Sequence, residues 1–272
     1  MNAPKSKPAN RTKKSKGKLK PLGTWPGNQW LVGQEAVDLA TPITPVNPLT
    51  FNARPQRLTL DIGRTAMVVV DMQNDFCAPG GWLDSLGADF SPNRAPIKPL
   101  TKLIPALRRA GMPIIWLNWG NRADLMNSNP TVLHAGNPSG DGVGYGDTPS
   151  GGRSPVLRKG SWGARICDDL KTARGDIHVD KYRLSGFWDN ELDSILRNLD
   201  VKTLLFAGVN SDRCVLATMQ DAGFLGYDCI LIDDCSATTS PDYVVRAVRF
   251  QVRGMYGFIA CSQSILDSIE NL

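Results

Sequence analysis

A rhythm that starts at Ala66 constrains this 272-residue chain more than any other feature. Short, continuous apolar runs alternate with segments of helix length. Six runs have strand length and are rich in Val, Ile and Leu: "AMVVVD" (66–71), "PIIWLNW" (113–119), "DIHVD" (176–180), "TLLFAG" (203–208), "DCILID" (228–233) and "YGFIA" (256–260). Continuous apolar character suits strands covered on both faces. "APIKPLTKLIPALRRAG" (95–111) ends in two arginines and a glycine, as helix C-termini do. "WDNELDSILRNL" (188–199) has apolar residues at helical spacing. "SPDYVVRAVRFQVRG" (240–254) offers Ser240 as N-cap, Pro241 as first helical residue and Gly254 just past the end. The alternation predicts an α/β fold: a three-layer, doubly wound, mostly parallel sheet with helices on both faces.

Charge divides the chain before this rhythm begins. Residues 1–20 hold seven Lys, one Arg and no acid; removing those eight charges from the formal +5 leaves −3 for the rest. With few large apolar side chains, residues 1–20 are expected to be a disordered basic tail. No aromatics are interleaved with its charges, so nucleic acid is not expected as a partner. Residues 21–64, with Trp25 and Trp30, read as an extended N-terminal arm; residues 65–272 read as the main domain. No apolar run reaches the roughly 18 residues of a membrane span, and no apolar segment follows the basic tail as in a secretory signal. A cytoplasmic protein with reduced cysteines is expected. The six cysteines contain no Cys-x-x-Cys pair, which disfavours disulfide frameworks and structural zinc.

The segment from Asn118 to Lys159 breaks the rhythm. It contains "HAGNPSGDGVGYGDTPSGG" and no clear strand or long helix. A loop of that length is usually functional or disordered. No Gly-Lys-Ser/Thr follows its glycines, so a phosphate cradle is not expected.

In open parallel sheets, ligands bind beyond the carboxyl ends of the strands. There the sequence puts Asp71 at the end of "AMVVVD", Lys181 after "DIHVD", and Cys214 after "TLLFAG" and the loop "VNSDR". Each has an ordinary explanation alone: a turn residue, a surface charge, a packed thiol. Together they make a mechanism. Cys214 opens a helix-like segment, "CVLATMQDAGFLG"; a helix N-terminus and a nearby lysine both lower a thiol pKa. Lys181 would stabilise the thiolate, and Asp71 would take the thiol proton and later return one to a leaving nitrogen. Backbone N–H groups of Asn210 and Cys214 would form an oxyanion hole. Cys77, in "DFC", is the rival nucleophile. Phe76, Asn118, Trp119 and Asn121 flank the same strand ends and are candidate substrate contacts.

"VVVDMQNDF", "DKYRLSGFWDNELDSILRN" and "LLFAGVNSDRCVLATMQDAGFLGYDCILIDD" resemble, in this order, the isochorismatase-like cysteine hydrolases, from about Ala66 to the C-terminus. The resemblance implies a catalytic Asp71–Lys181–Cys214 triad and a cis peptide at Val209–Asn210. Isochorismatases proper lack the cysteine, so Cys214 favours the amidohydrolase branch over vinyl-ether hydrolysis. "GGWLD", "AGMPIIW" and "KGSW" are most similar to ureidoacrylate amidohydrolases, with biuret and triuret hydrolases nearby. The longer Gly-rich segment, the charged "NSDR" and the basic tail depart from that pattern. Nicotinamidase relatives bind zinc through an Asp and clustered histidines; here only His134 and His178 occur, so neither metal nor other cofactor is expected. The expected activity is hydrolysis of a C–N bond in a small ureido or carbamoyl compound, with release of ammonia or a carbamate, by a homo-oligomer. The competing expectation is an inactive α/β binding protein tethered to polyanions by its tail.

Overall fold

The computed structural model describes residues 19–40 and 45–272. The chain divides into two compact units, Met1–Thr44 and Pro45–Leu272. In the first, β1 (Lys20–Trp25), β2 (Asn28–Val32) and β3 (Val37–Asp38) form a small antiparallel sheet. The tail lies almost wholly outside the described residues; only Leu19 and Lys20 are described, and Lys20 starts β1.

The arm expected over 21–64 is divided between the two units. From Pro45 onward it belongs to the body: β4 (Pro48–Phe51) pairs antiparallel with β6 (Leu58–Asp61), and β5 (Ala53–Arg54) joins the edge of the main sheet. The reason lies in the alternation of "LTF" and "LTLDI". Leu49, Phe51, Leu60 and Ile62 are all buried, while their polar neighbours face outward.

The main sheet contains β7 (Thr65–Val70), β8 (Ile114–Trp119), β9 (Ile177–Lys181), β10 (Thr203–Val209), β11 (Asp228–Ala237) and β12 (Phe258–Ala260). Its order is β5-β12-β11-β10-β7-β8-β9, parallel throughout except for β5. All six predicted strands are present within a few residues of their expected ends. The fold class is the expected one.

From β7 the chain winds outward through β8 and β9, then crosses back and winds the other way through β10, β11 and β12. Right-handed crossovers running in opposite directions put helices on opposite faces. Helix Ile97–Arg109 follows β7, and Leu216–Phe224 follows β10. Helices Leu192–Asn198 and Asp242–Gln251 complete the crossovers, and Ser262–Ile269 packs beside Ile97–Arg109. The winding reverses between β7 and β10, and beyond the carboxyl ends at such a reversal open parallel sheets bind their ligands. Gly208 lets these strands approach there: its φ is +110°, and a Cβ would fall 1.9 Å from the Val70 carbonyl oxygen.

Two predicted helix ends move. The N-cap of Asp242–Gln251 is Pro241, while the Ser240 hydroxyl instead donates to Asp212 Oδ2 at 2.8 Å. Gly254 lies inside a π-helical turn, Val252–Tyr256, that prolongs this helix. Among the described residues no helix is long and apolar enough to cross a membrane.

Candidate functional site

Asp71 follows β7 directly and is fully buried. Its backbone has φ +50°, a left-handed conformation that costs a non-glycine residue on the order of 1 kcal/mol and tends to survive at functional positions. Its N–H still donates to the Leu117 carbonyl at 2.9 Å, which keeps the β7–β8 ladder intact up to the turn. Lys181 closes β9 and is also fully buried, with Nζ 2.9 Å from Asp71 Oδ2. β8 lies between these strands in the sheet. Its last residue, Trp119, pairs in register with Lys181, and its ring lies 3.9 Å from Nζ. The lysine therefore reaches Asp71 across the face of an indole, a cation–π arrangement away from water.

Cys214 completes the cluster from the other side of the reversal. It lies in a π-helical turn, Ser211–Val215, just ahead of helix Leu216–Phe224, rather than opening that helix as expected. π-turns of this kind recur at functional sites. The preceding Val209–Asn210 peptide is cis. The thiol is within hydrogen-bond reach of the Asp71 carboxylate and the Trp119 indole. Val215 and Arg213 both donate their N–H to the Asn210 carbonyl, at 3.2 and 3.0 Å. The Cys214 carbonyl accepts from Thr218 Oγ1 at 2.6 Å, and that hydroxyl accepts from Gly186 N–H at 3.0 Å.

One expectation reverses in this structure. Burial pushes the Cys214 thiol up to about 12; the Lys181 charge opposes this, and the Asp71 charge adds to it. Burial likewise raises the Asp71 carboxyl, against the pull of Lys181. Desolvation thus outweighs the cation. The thiol is expected to keep its proton until Asp71, close beside it, accepts it.

The four candidate contacts part company. Trp119 belongs to the cluster. Phe76 packs edge-on against Trp82, with centroids 6.2 Å apart, at the end of an aromatic row that runs through Trp82 and Tyr145 to Trp119. Asn121 is fully buried, and its amide has no hydrogen-bond partner among the described residues. Asn118 does not join them. It pairs in register with Asp180, so it faces the side of the sheet opposite Lys181. There it lines a cavity of about 480 Å3 with Arg165, Lys171 and His178. Strand parity decides this, because adjacent strand residues point to opposite faces.

Cys77 is buried with its Sγ 3.5 Å from the Asn93 carbonyl, and the neighbouring Cys167 thiol, followed by burial, raises its thiol well above the usual range.

Three further residues shape the site. Gln73 clamps Trp119: its Nε2 donates to the Trp119 carbonyl at 2.8 Å and to the Ala164 carbonyl at 2.7 Å, while Oε1 accepts from Trp119 N–H at 3.0 Å. The polar run "DMQNDF" directly after an apolar strand was its signal. Asp75, in the same run, accepts from Leu157 N–H at 2.7 Å and Trp82 N–H at 3.1 Å, and so fastens the long segment to the body. Burial raises its carboxyl to about 6. Tyr145 comes from within the Gly-rich segment, and nothing in the pattern singled it out.

Known proteins share this architecture. A cysteine hydrolase from Pseudomonas syringae pv. phaseolicola 1448A is 25% identical, with a TM-score of 0.65, over 83% of this chain and 98% of that one. N-carbamoylsarcosine amidase from Thermoplasma acidophilum shares the fold at 24% identity and a TM-score of 0.55, over 73% of this chain and 96% of that one. Nicotinamidase PncA from Bacillus subtilis shares it at 18% identity and a TM-score of 0.56, over 72% of this chain and 99% of that one. A family model described as Isochorismatase domain matches residues 65–263, well over half of the chain and all six parallel strands; the chain belongs to the isochorismatase family of hydrolases.

Proposed function

We propose that this protein is a cysteine amidohydrolase that cleaves a C–N bond of a small ureido or carbamoyl compound. The observation that carries the reading is the buried Asp71–Lys181–Cys214 cluster at the sheet's winding reversal. An acid, a cation and a thiol in contact and away from water cost free energy to assemble, which the body's stability does not require. The likeness to a cysteine hydrolase agrees with a thiol nucleophile.

The chemistry follows from the contacts. Cys214 Sγ attacks the carbonyl carbon as its proton passes to Asp71, and Lys181 offsets the negative charge that moves between them. The carbonyl oxygen becomes an oxyanion. Arg213 and Val215 already donate to the Asn210 carbonyl, so the N–H groups of Asn210 and Cys214 are the proposed donors. Collapse breaks the C–N bond, and Asp71 returns the proton to the departing nitrogen. Water then attacks the thioester, with Asp71 again taking the proton, and releases the acid product and the thiol. Phe76, Trp119 and Asn121 remain the proposed substrate contacts.

No metal takes part in this reading. His178 lies on the face of β9 opposite Lys181, and His134 is exposed on helix Pro130–Gly136, so neither can join Asp71 at a metal ion.

The test is ammonia release from ureidoacrylate, biuret, triuret, guanylurea, nicotinamide and N-carbamoyl amino acids. At least one should be hydrolysed, and Cys214→Ser should lose that activity while keeping the wild-type circular dichroism. Full activity in Cys214→Ser, or no turnover of any compound by the wild type, would overturn the proposal.

A further inference from the structure

The catalytic steps leave the Gly-rich segment unused. Its fold centres on one side chain. The Tyr145 ring lies 5.2 Å from that of Trp119, tilted 35°, and 5.2 Å from that of Trp82, edge-on. Gly136 lies beneath it: a Cβ there would come within 3.0 Å of Cζ, the carbon bearing the hydroxyl. The flanking residues are glycines whose roles are visible. Gly144 N–H donates to Asp147 Oδ2 at 2.8 Å, and a Cβ on it would fall 2.9 Å from that of Asn137. Gly146 has φ +85° and donates to the Val156 carbonyl at 3.0 Å. Trp82 Nε1–H holds the Val143 carbonyl at 2.9 Å, and Asp75 anchors Leu157. The backbone on both sides of Tyr145 is thus fastened, and its ring is clamped on three sides.

Its hydroxyl is not. Tyr227 donates to Asp193 Oδ1 and Tyr182 to the Asp189 carbonyl, as tyrosines usually do where they are partly buried. The half-buried Tyr145 hydroxyl has no hydrogen-bond partner among the described residues. Burial holds it well above the usual tyrosine range, with the Asp71 carboxylate adding to the rise and Arg213 opposing it. It is a phenol that can both donate and accept, on a ring packed against Trp119, whose own ring lies 3.9 Å from Lys181 Nζ.

We infer that Tyr145 hydrogen-bonds the substrate beside Cys214 and thereby selects urea-like compounds, in which an N–H or carbonyl adjoins the attacked amide, over simple amides with an apolar neighbour. This rests on the amidohydrolase reading and names its substrate class. A rigidly held donor–acceptor recognises such a group at little entropic cost. A substrate without the group leaves the hydroxyl unpaired beside it, which disfavours binding.

The test is Tyr145→Phe, which removes the hydroxyl and keeps the ring that packs on Trp119 and Trp82. kcat and KM are measured for biuret and for butyramide, and the affinity for biuret is measured calorimetrically in Cys214→Ala with and without Tyr145→Phe. The expected result is about a tenfold loss of kcat/KM on biuret, mainly in KM, a matching loss of affinity, and a change under threefold on butyramide. Unchanged biuret kinetics and affinity would overturn the inference and leave the amidohydrolase reading standing. So would an equal loss on both amides, which marks a purely structural tyrosine. If the wild type hydrolyses none of the panel, the amidohydrolase reading and this inference fail together.

Discussion

Lys181→Met removes the cation from the centre of the site and nearly preserves the side-chain volume. Lys181 Nζ and Asp71 Oδ2 are 2.9 Å apart and both groups are buried. At an effective dielectric constant of about 20, their attraction is roughly 6 kcal/mol. The variant also escapes the burial of an ammonium, so the net loss from breaking such a pair is about 3–5 kcal/mol. The pH dependence identifies the cause. Burial already holds the Asp71 carboxyl above its ordinary value, and Lys181 is the principal influence opposing that rise. Without the lysine the folded-state pKa climbs further. A carboxyl raised in the folded state contributes stability that is complete below its unfolded pKa and is lost as pH rises through the folded pKa. Each pH unit in which the folded variant keeps the proton and the unfolded chain loses it costs about 1.4 kcal/mol. Urea unfolding at pH 5 and pH 8 should therefore show a deficit relative to wild type that is at least about 2 kcal/mol larger at pH 8. Adding Asp71→Asn should recover most of that pH 8 deficit, because no buried charge is then left alone. A deficit that is the same at both pH values, or below about 1 kcal/mol at pH 8, would refute the reasoning from a buried, mutually dependent ion pair.

Two other outcomes follow from the geometry. With the Cys214 thiol pushed up to about 12 in the unliganded protein, its alkylation by iodoacetamide should accelerate about tenfold per pH unit from pH 7 to 10. Peptide mapping separates this from labelling of the exposed Cys261, and a plateau near pH 8 would mean a thiolate already formed at rest. Gly208→Ala should cost more than about 4 kcal/mol or prevent soluble expression, because its Cβ would fall 1.9 Å from the Val70 carbonyl oxygen at φ +110°. A wild-type urea midpoint in that variant would show that β7 and β10 can part there without penalty.

Much of the fold was legible because a strand buried on both faces must be apolar throughout. The runs at 66–71, 113–119 and 203–208 therefore stand out without any partner being known. The same local logic exposed Asp71, Lys181 and Cys214, since each polar residue interrupts or follows such a run at the end where parallel sheets bind ligands. It failed where the information is not local. Pro48–Phe51 and Leu58–Asp61 alternate like exposed hairpin strands, and only their packing assigned them to the body rather than to an N-terminal arm. Asn118 and Trp119 are neighbours in sequence and both end the same strand, yet pairing with Asp180 and Lys181 sends them to opposite faces.

By itself the sequence determined the alternation of elements, the strand ends at which chemistry could occur, and the residue types offered there. These depend on burial and periodicity, which each segment carries in its own composition. The tertiary structure decided the order of the strands, and with it that Lys181 reaches Asp71 across the face of Trp119. It also decided that the Cys214 thiol is raised rather than lowered, because only packing sets how far a group is removed from water, and here desolvation exceeds the attraction of the lysine. Tyr145 belongs to the same class. Its flanking glycines were visible as composition, but the segment's hydrogen bonds and the surrounding rings are what hold its ring against Trp119.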